Sequence, residues 1–158
     1  MPYIIEYKSF VENEMYELGS EIIKFIDDSF INKPTFNQMN EEDKVFYLKM
    51  KADYNKYLAE SEIHKEITSD EALTYYNECL KISEKMSFGK SVKLGFLLNM
   101  SVFFYEVKND HKKAIEIAQF ALNNFNKIRN KLDEDDDEVK DSISLVNLIK
   151  ENLKEWKK

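Results

Sequence analysis

The stretch "KVFYLKMKADYNKYLAE" (Lys44–Glu60) contains neither glycine nor proline, so it predicts a helix. When its residues are placed at about 100° per position, the polar side chains form two separate stripes instead of one. Lys44, Lys51 and Asn55 make up the first stripe. This first stripe predicts an ordinary face that is exposed to solvent.

The second stripe lies nearly opposite, between two rows of apolar side chains. It consists of Lys49, Asp53, Lys56 and Glu60. Charges flanked by apolar residues are costly unless they are paired or open to a groove. Asp53 has the spacing to pair with Lys49 at i,i+4 and with Lys56 at i,i+3. Two interpretations stay open, a buried ladder of salt bridges or the wall of an anion-binding groove, to which Tyr57 would add a hydroxyl donor.

The composition of the whole chain agrees with a helical protein. Its 158 residues include only 3 glycines and 2 prolines, which favours long helices over a sheet. The net charge of -7 argues against nucleic acid or an anionic membrane as a partner. A single cysteine, Cys79, rules out an internal disulfide and suits the cytoplasm. No apolar run is long enough to span a bilayer, and the N-terminus does not read as a secretory signal.

Five breaks divide the chain into about six segments with helical spacing of apolar residues. They fall at residues 32–40, 61–70, 86–90, 108–110 and 133–138. The sequence therefore predicts an all-α antiparallel array in one domain, residues 1–158, with a first helix at about 4–31. Thr68 and Glu71 have capping-box spacing, and Asp110 is a candidate N-cap.

Few residues suggest catalysis or metal binding. The acidic run at 133–138 lacks the glycine and the alternating ligands of a calcium loop, and it predicts an exposed loop facing the N-terminus of the last helix. His64 and His111 lack the neighbours of a metal site and are expected on the surface near helix ends. No phosphate-binding glycine loop or nucleophile motif is present. We therefore expect neither an enzyme nor a cofactor or metal.

Two further segments place amides among apolar residues. The stretch 93–107 is apolar nearly all round and predicts the most buried helix, with Asn99 and Glu106 as its strongest polar exceptions. In the last helix Asn152 interrupts an apolar row that ends at Trp156. An amide offers both a donor and an acceptor, which suits an extended peptide backbone, although an asparagine satisfied by neighbouring helices is at least as common. Three such rows suggest a common groove for an extended anionic peptide.

At these residues the chain resembles the 14-3-3 family, all-α dimeric adaptors that bind phosphoserine and phosphothreonine segments. The resemblance rests on three motifs: "VFYLKMKADYNKYLAE" for the fifth helix of the family, "LGFLLNMSVFFYEV" for the seventh and "KDSISLVNLIKENLKEW" for the ninth. It implies that this chain matches helices four to nine, from about Tyr7 to Trp156. The first three helices of the family have no counterpart here.

The resemblance also implies roles for individual residues. Lys56, Tyr57 and Lys49 take phosphate-site positions, and Lys56 replaces an arginine of the family. The implied peptide-binding positions are Leu98, Asn99, Val102, Glu106, Leu148, Asn152 and Trp156. A lysine is a point charge that cannot reproduce the bidentate contact of an arginine. In the family, a lysine and an arginine of the first three helices complete the phosphate site.

The sequence thus leads to two alternatives for function. The first is a phosphopeptide-binding adaptor of the 14-3-3 type with an incomplete phosphate site and phosphorylated proteins as partners. The second is a scaffold of the same fold that has lost phosphopeptide binding and contacts other proteins. Because the first helix carries many apolar residues, self-association through it is also expected.

Overall fold

The computed structural model describes residues 2–61 and 64–158, and in them it contains six α-helices and no strand. The helices are α1 (Pro2–Ile26), α2 (Glu41–Ala59), α3 (Lys65–Ile82), α4 (Ser91–Glu106), α5 (His111–Ile128) and α6 (Asp137–Trp156). The fold is an all-α antiparallel helical array, which confirms the predicted fold class.

The chain divides into two compact units, Met1–Glu78 and Cys79–Lys158. The prediction of one domain over residues 1–158 stays a prediction. In the first unit α1 packs against α2. A π-helical turn (Asp27–Ile31) and a 3-10 helix (Pro34–Gln38) connect these two helices. The first α-helix therefore ends at Ile26, a few residues before the predicted end, because its last turn widens into the π-helical one.

Gly19 allows α1 and α2 to approach each other closely. Gly19 is buried, and a Cβ atom built there would lie 2.6 Å from Cδ2 of Leu58. Only a residue without a side chain fits this contact without a shift of Leu58. The rest of α1 is largely exposed, and apolar side chains such as Ile4, Phe10 and Leu18 face solvent.

Two of the three residues of the first polar stripe of α2 are buried and Lys44 is partly so, and the prediction of a solvent-facing surface was therefore wrong for Lys51 and Asn55. Lys51 is only 8% exposed and Asn55 is also buried. The Lys51 ammonium lies 2.7 Å from Oδ1 of Asp27 and 4.1 Å from the centre of the Tyr75 ring. Asn55 donates through Nδ2 to the carbonyl of Lys51. Helical spacing could not reveal that groups from two other segments cover this side of α2.

The capping box predicted at Thr68 and Glu71 was also wrong. Helix α3 begins at Lys65, so Thr68 lies inside it, and its hydroxyl donates to the carbonyl of His64 at 3.1 Å. A threonine inside a helix commonly bonds back to a carbonyl of the preceding turn, as here. The break predicted at 61–70 therefore ends at residue 64, and positions 62 and 63 within it lie outside the described residues.

In the second unit α4 packs against both α5 and α6. Most of α4 is buried, as its apolar sequence predicts, and Phe96 and Phe103 are completely so. Cys79 is also completely buried, as expected for a small apolar residue. Asp110 caps α5 by accepting from the amide of Lys113, which confirms the predicted N-cap.

The N-terminus of α4 is held by side chains of α6. Oε1 of Glu138 accepts from both the amide and the hydroxyl of Ser91, at 2.8 and 3.0 Å. The hydroxyl of Ser142 donates to the carbonyl of Gly89 at 2.7 Å. Asp136 of the acidic run caps α6 itself, so this loop does face that helix N-terminus as predicted.

Candidate functional site

The second polar stripe of α2 forms a hydrogen-bonded network around Asp53. Oδ2 of Asp53 accepts from the Lys49 ammonium at 2.6 Å, which confirms the predicted i,i+4 pair. Oδ1 accepts from the hydroxyl of Tyr76, also at 2.6 Å. Both Asp53 and Tyr76 are buried. Two charge-assisted bonds therefore fix this carboxylate, and through it the position of Lys49.

Lys56 lies one turn further along α2 and has its own carboxylate. Its ammonium is 3.6 Å from Oε1 of Glu60 and 4.4 Å from the centre of the Tyr57 ring. The Lys56 side chain is only 6% exposed, whereas that of Glu60 is 46% exposed. The pair predicted between Asp53 and Lys56 stays a prediction. The structure thus contains elements of both the salt-bridge ladder and the open groove. The charges are paired, as in a ladder, but the Glu60 side of the stripe is exposed to solvent.

Tyr57 lies on the solvent-exposed side of this stripe, and its side chain is half-exposed. Partial burial raises the pKa of its phenol, and the charges of Asp53 and Glu60 and the neighbouring Tyr54 raise it further. The hydroxyl is therefore protonated at neutral pH and can donate a hydrogen bond. Lys49, Lys56 and Tyr57 together offer donors suited to an anion on one stretch of α2.

A cleft between α1 and α2 adjoins the same stripe. Its volume is about 440 Å³, within the usual range of ligand pockets. Apolar and tyrosine side chains dominate its walls, and two carboxylates contribute to them. The lining residues are Glu12, Met15, Tyr16, Leu18, Gly19, Ile22, Tyr54, Tyr57, Leu58, Glu60 and Ser61. Glu60, a member of the second polar stripe, and Tyr57 beside it therefore also line the cleft.

In the second unit the predicted peptide-binding residues lie on α4 and α6, two helices that pack together. Leu98 is buried, while Glu106 and Leu148 are exposed. The remaining residues have intermediate exposure: Asn99, Val102, Asn152 and Trp156. Both amides therefore lie at the surface of this unit, where they can contact a ligand. The prediction that these helices and α2 face one common groove stays a prediction.

A stack of three rings joins the carboxyl ends of α4 and α6. Tyr105 lies between Trp156, with centroids 4.6 Å apart and planes at 10°, and His111, with centroids 4.0 Å apart and planes at 13°. Parallel stacking on a neighbouring ring restricts the orientation of Trp156. Sequence reasoning identified Trp156 but missed Tyr105, because the rings that stack on Tyr105 belong to α5 and α6.

Within residues 2–61 and 64–158, no three histidine, cysteine, aspartate or glutamate side chains are grouped as a metal site requires. In the same ranges no helix has the length and apolar character needed to cross a bilayer. His64 and His111 are exposed at the starts of α3 and α5, as predicted.

Three residues of the α2 network, Asp53, Glu60 and Tyr76, were not among the predicted site residues. Asp53 was identified only as the partner of the lysines in the charged stripe. Glu60 belonged to the charged stripe, and its i,i+4 spacing from Lys56 was the signal that could have identified it. Tyr76 gave no local signal, because it lies 23 residues from Asp53 and only the fold brings the two together.

Comparison with known proteins identifies relatives over nearly the whole chain. The family model described as "14-3-3 protein" matches residues 1–157. A 14-3-3 protein of Giardia intestinalis is 34% identical over 152 residues, which cover 95% of this chain and 59% of that protein. The 14-3-3 protein beta/alpha of Rattus norvegicus is 36% identical over 155 residues, covering 96% and 60%. The human 14-3-3 protein beta/alpha is 35% identical with the same coverage. This chain thus spans about three-fifths of the length of these relatives.

Proposed function

This chain belongs to the 14-3-3 family, and from that membership we propose that it is a phosphopeptide-binding adaptor with an incomplete phosphate site. Its partners would be proteins or peptides that carry phosphoserine or phosphothreonine. The observation that carries the proposal is the grouping of two ammonium groups and a neutral phenol on one stretch of α2, at Lys49, Lys56 and Tyr57. The proposed role is binding and not catalysis.

The phosphate would bind to Lys56 and Tyr57, with Lys49 as an accessory cation. A phosphate carries about -1.5 to -2 charges at neutral pH. The two lysines lie beside two carboxylates, Asp53 and Glu60, so the formal charge of the stripe is zero. A group that brings two negative charges to a neutral site gains less than it would at a cluster of unpaired arginines. We therefore propose weak binding by this chain alone.

The peptide backbone would contact the second unit. The amides of Asn99 and Asn152 are at the surface and can each donate and accept a hydrogen bond. Apolar side chains of the peptide would contact Leu98, Val102 and Leu148, and Glu106 and Trp156 would contact polar and aromatic groups. Contacts to the backbone do not depend on phosphorylation, so they would contribute equally to phosphorylated and unphosphorylated ligands.

A second candidate function is a scaffold that has lost phosphopeptide binding and contacts other proteins. The observation in its favour is the pairing of each lysine of the stripe with a carboxylate of the same chain, Lys49 with Asp53 and Lys56 with Glu60. A stripe that is already neutralised can serve stability alone.

Phosphate dependence separates the two functions. The test is a calorimetric titration of matched phosphorylated and unphosphorylated library peptides against this chain, its Lys56→Glu variant and any longer form. The adaptor predicts weak binding that requires the phosphate and that Lys56→Glu abolishes. Losing two charge-assisted donors at about 1.5–3 kcal/mol each weakens binding by about two to four orders of magnitude relative to a complete site. Equal binding of both peptides would instead favour the scaffold.

We also propose self-association through α1. Its apolar residues include a run at spacings of four and three, the pattern of a helix–helix seam. In this run Met15, Leu18 and Phe25 are exposed, and Val11 and Ile22 are partly buried. Large exposed apolar surfaces commonly mark protein contacts. A protein partner also suits the net charge of -7, because this charge repels nucleic acid and anionic membranes. We further propose a cytoplasmic location, which suits a chain with a single cysteine.

A further inference from the structure

The anion position beside Lys56 is already occupied by a group of this chain. Oε1 of Glu60 lies 3.6 Å from the Lys56 ammonium. Lys56 is buried, so it has lost most of its contact with water and needs a counter-ion. An incoming anion that binds to Lys56 must therefore take the place of Glu60 or share the lysine with it.

The two carboxylates of the stripe differ in how firmly they are held. Asp53 is buried and accepts two bonds of 2.6 Å, from Lys49 and from Tyr76. Glu60 has a long contact to Lys56, and nearly half of its side chain is exposed. It also directly follows the last residue of α2, where the partial negative charge of the helix terminus disfavours a carboxylate. Glu60 can therefore swing into water, whereas Asp53 cannot move without breaking the network.

We propose that Glu60 is a displaceable counter-ion that occupies the anion position of Lys56 until a phosphate replaces it. This inference rests on the proposed phosphopeptide function and adds the residue that sets its affinity. Displacement reduces the apparent affinity by the fraction of molecules in which Lys56 is free. The reduction is the same for every anion that binds there, and it does not apply to a ligand without a negative charge.

The matching experiment uses Glu60→Gln, which keeps the size of the side chain and removes its charge. Three peptides of one sequence are titrated, with phosphoserine, glutamate or serine at the same position. We expect Glu60→Gln to strengthen binding of the phosphoserine and glutamate peptides by the same factor, about fivefold, which corresponds to about 1 kcal/mol. Binding of the serine peptide should not change.

Glu41→Gln is the matched control, because it removes one negative charge from the other end of α2. The helix has 19 residues and is roughly 28 Å long, several Debye lengths at physiological salt. Glu41→Gln should therefore leave all three affinities unchanged. Thermal unfolding should show a loss of stability for Glu60→Gln, which leaves the buried Lys56 without its counter-ion, and little change for Glu41→Gln, whose carboxylate is exposed.

The outcomes separate the two proposals. If the parent chain prefers the phosphoserine peptide but Glu60→Gln binds it no better than Glu41→Gln does, Glu60 does not compete for Lys56 and only this inference fails. If Glu60→Gln strengthens the serine peptide as much as the others, the effect does not arise at the anion position, and the inference also fails. If neither the parent nor Glu60→Gln distinguishes phosphoserine from serine, the proposed phosphopeptide function fails and this inference with it.

Discussion

The replacement of Lys51 by methionine tests the least expected feature of α2. Helical spacing placed this lysine on a solvent-facing stripe, where substitutions change stability by about 0.5 kcal/mol or less. In the structure it is buried, 2.7 Å from the carboxylate of Asp27 and stacked over Tyr75. Methionine keeps the apolar stem of the side chain and removes the charge. It therefore leaves the carboxylate of Asp27 without its cation.

The expected loss follows from the burial of the pair. Removing one partner of a fully buried ion pair costs about 3–5 kcal/mol, because the other charge stays uncompensated. The Asp27 side chain is 21% exposed, so water partly screens its charge and the lower end of this energy range applies. We expect Lys51→Met to lower the free energy of unfolding by about 3 kcal/mol. At about 2–4 °C per kcal/mol, its melting temperature should fall by about 6–12 °C.

Urea and thermal unfolding followed by circular dichroism measure this loss, and Lys24→Met provides the control. The Lys24 ammonium lies 3.9 Å from Asp28, with side chains that are 80% and 61% exposed. An exposed pair of this kind contributes about 0.2–1 kcal/mol or less. Lys24→Met thus removes the same chemical group from the same region but without the desolvation.

The pH dependence of stability gives a second measure of the same pair. Burial alone would lower the pKa of Lys51, but the hydrogen bonds with Asp27 and Tyr75 outweigh it and raise that pKa above 10.5. The folded state then binds the proton more tightly than the unfolded state does. This part of the stability is fully present below pH 10.5 and is lost as the pH rises through the folded-state pKa. The difference between the parent and Lys51→Met should therefore be constant from pH 7 to 9.

A loss in Lys51→Met no larger than that in Lys24→Met would refute the reasoning and restore the solvent-facing interpretation. A double variant extends the test. Adding Asp27→Asn to Lys51→Met removes the uncompensated charge, so it should recover part of the lost stability. If the double variant is less stable than Lys51→Met by the full cost of Asp27→Asn alone, the two residues are not coupled.

Three further predictions concern the second unit and α1. Glu138→Ala should lower the free energy of unfolding by about 1–3 kcal/mol in urea, because it removes a charged acceptor from two donors of Ser91; a loss below about 0.5 kcal/mol would contradict this. Asn152→Ala should weaken the binding of phosphorylated and unphosphorylated peptides by the same factor in calorimetry. A selective loss of phosphopeptide binding would refute a contact of Asn152 with the peptide backbone. Leu18→Glu should shift the chain to monomer in sedimentation at micromolar concentration, and a parent chain that is already monomeric would contradict self-association through α1.

The helical architecture could be predicted from the sequence, because it depends on local features. Few glycines and prolines, together with breaks of polar residues, identified six helices. The apolar character of 93–107 identified the buried α4, and Asp110 identified the start of α5. Each of these signals lies within the segment that it describes. The prediction of a capping box at Thr68 was wrong. A threonine inside a helix can instead donate its hydroxyl to a carbonyl of the preceding turn, as Thr68 does, and the sequence does not distinguish the two arrangements.

The contacts between segments could not be predicted in the same way. Lys49–Asp53 was identified from its spacing, but the bond from Tyr76 to Asp53 spans 23 residues and that from Ser91 to Glu138 spans 47. Lys93 shows the same limit, because its buried ammonium donates to two carbonyls of the turn after α3, at Ser83 and Met86. From the sequence, Lys93 is only a charged residue in an apolar segment, because the carbonyls that accept its hydrogen bonds lie outside that segment.

The two polar stripes of α2 differ in the exposure of their counter-ions, and this difference is the reason that we propose a ligand-binding role for the second stripe and a structural role for the first. On the first stripe, Lys51 has Asp27 on one side and the Tyr75 ring on another, so a ligand would have to break a buried pair to reach it. On the second, Lys56 is equally buried, but its carboxylate partner Glu60 is nearly half exposed. A buried cation keeps its need for an anion whichever molecule supplies it. Under the proposed function, a phosphate would take the place of the carboxylate where the chain's own anion is exposed to water, and of these two lysines only Lys56 has such a partner.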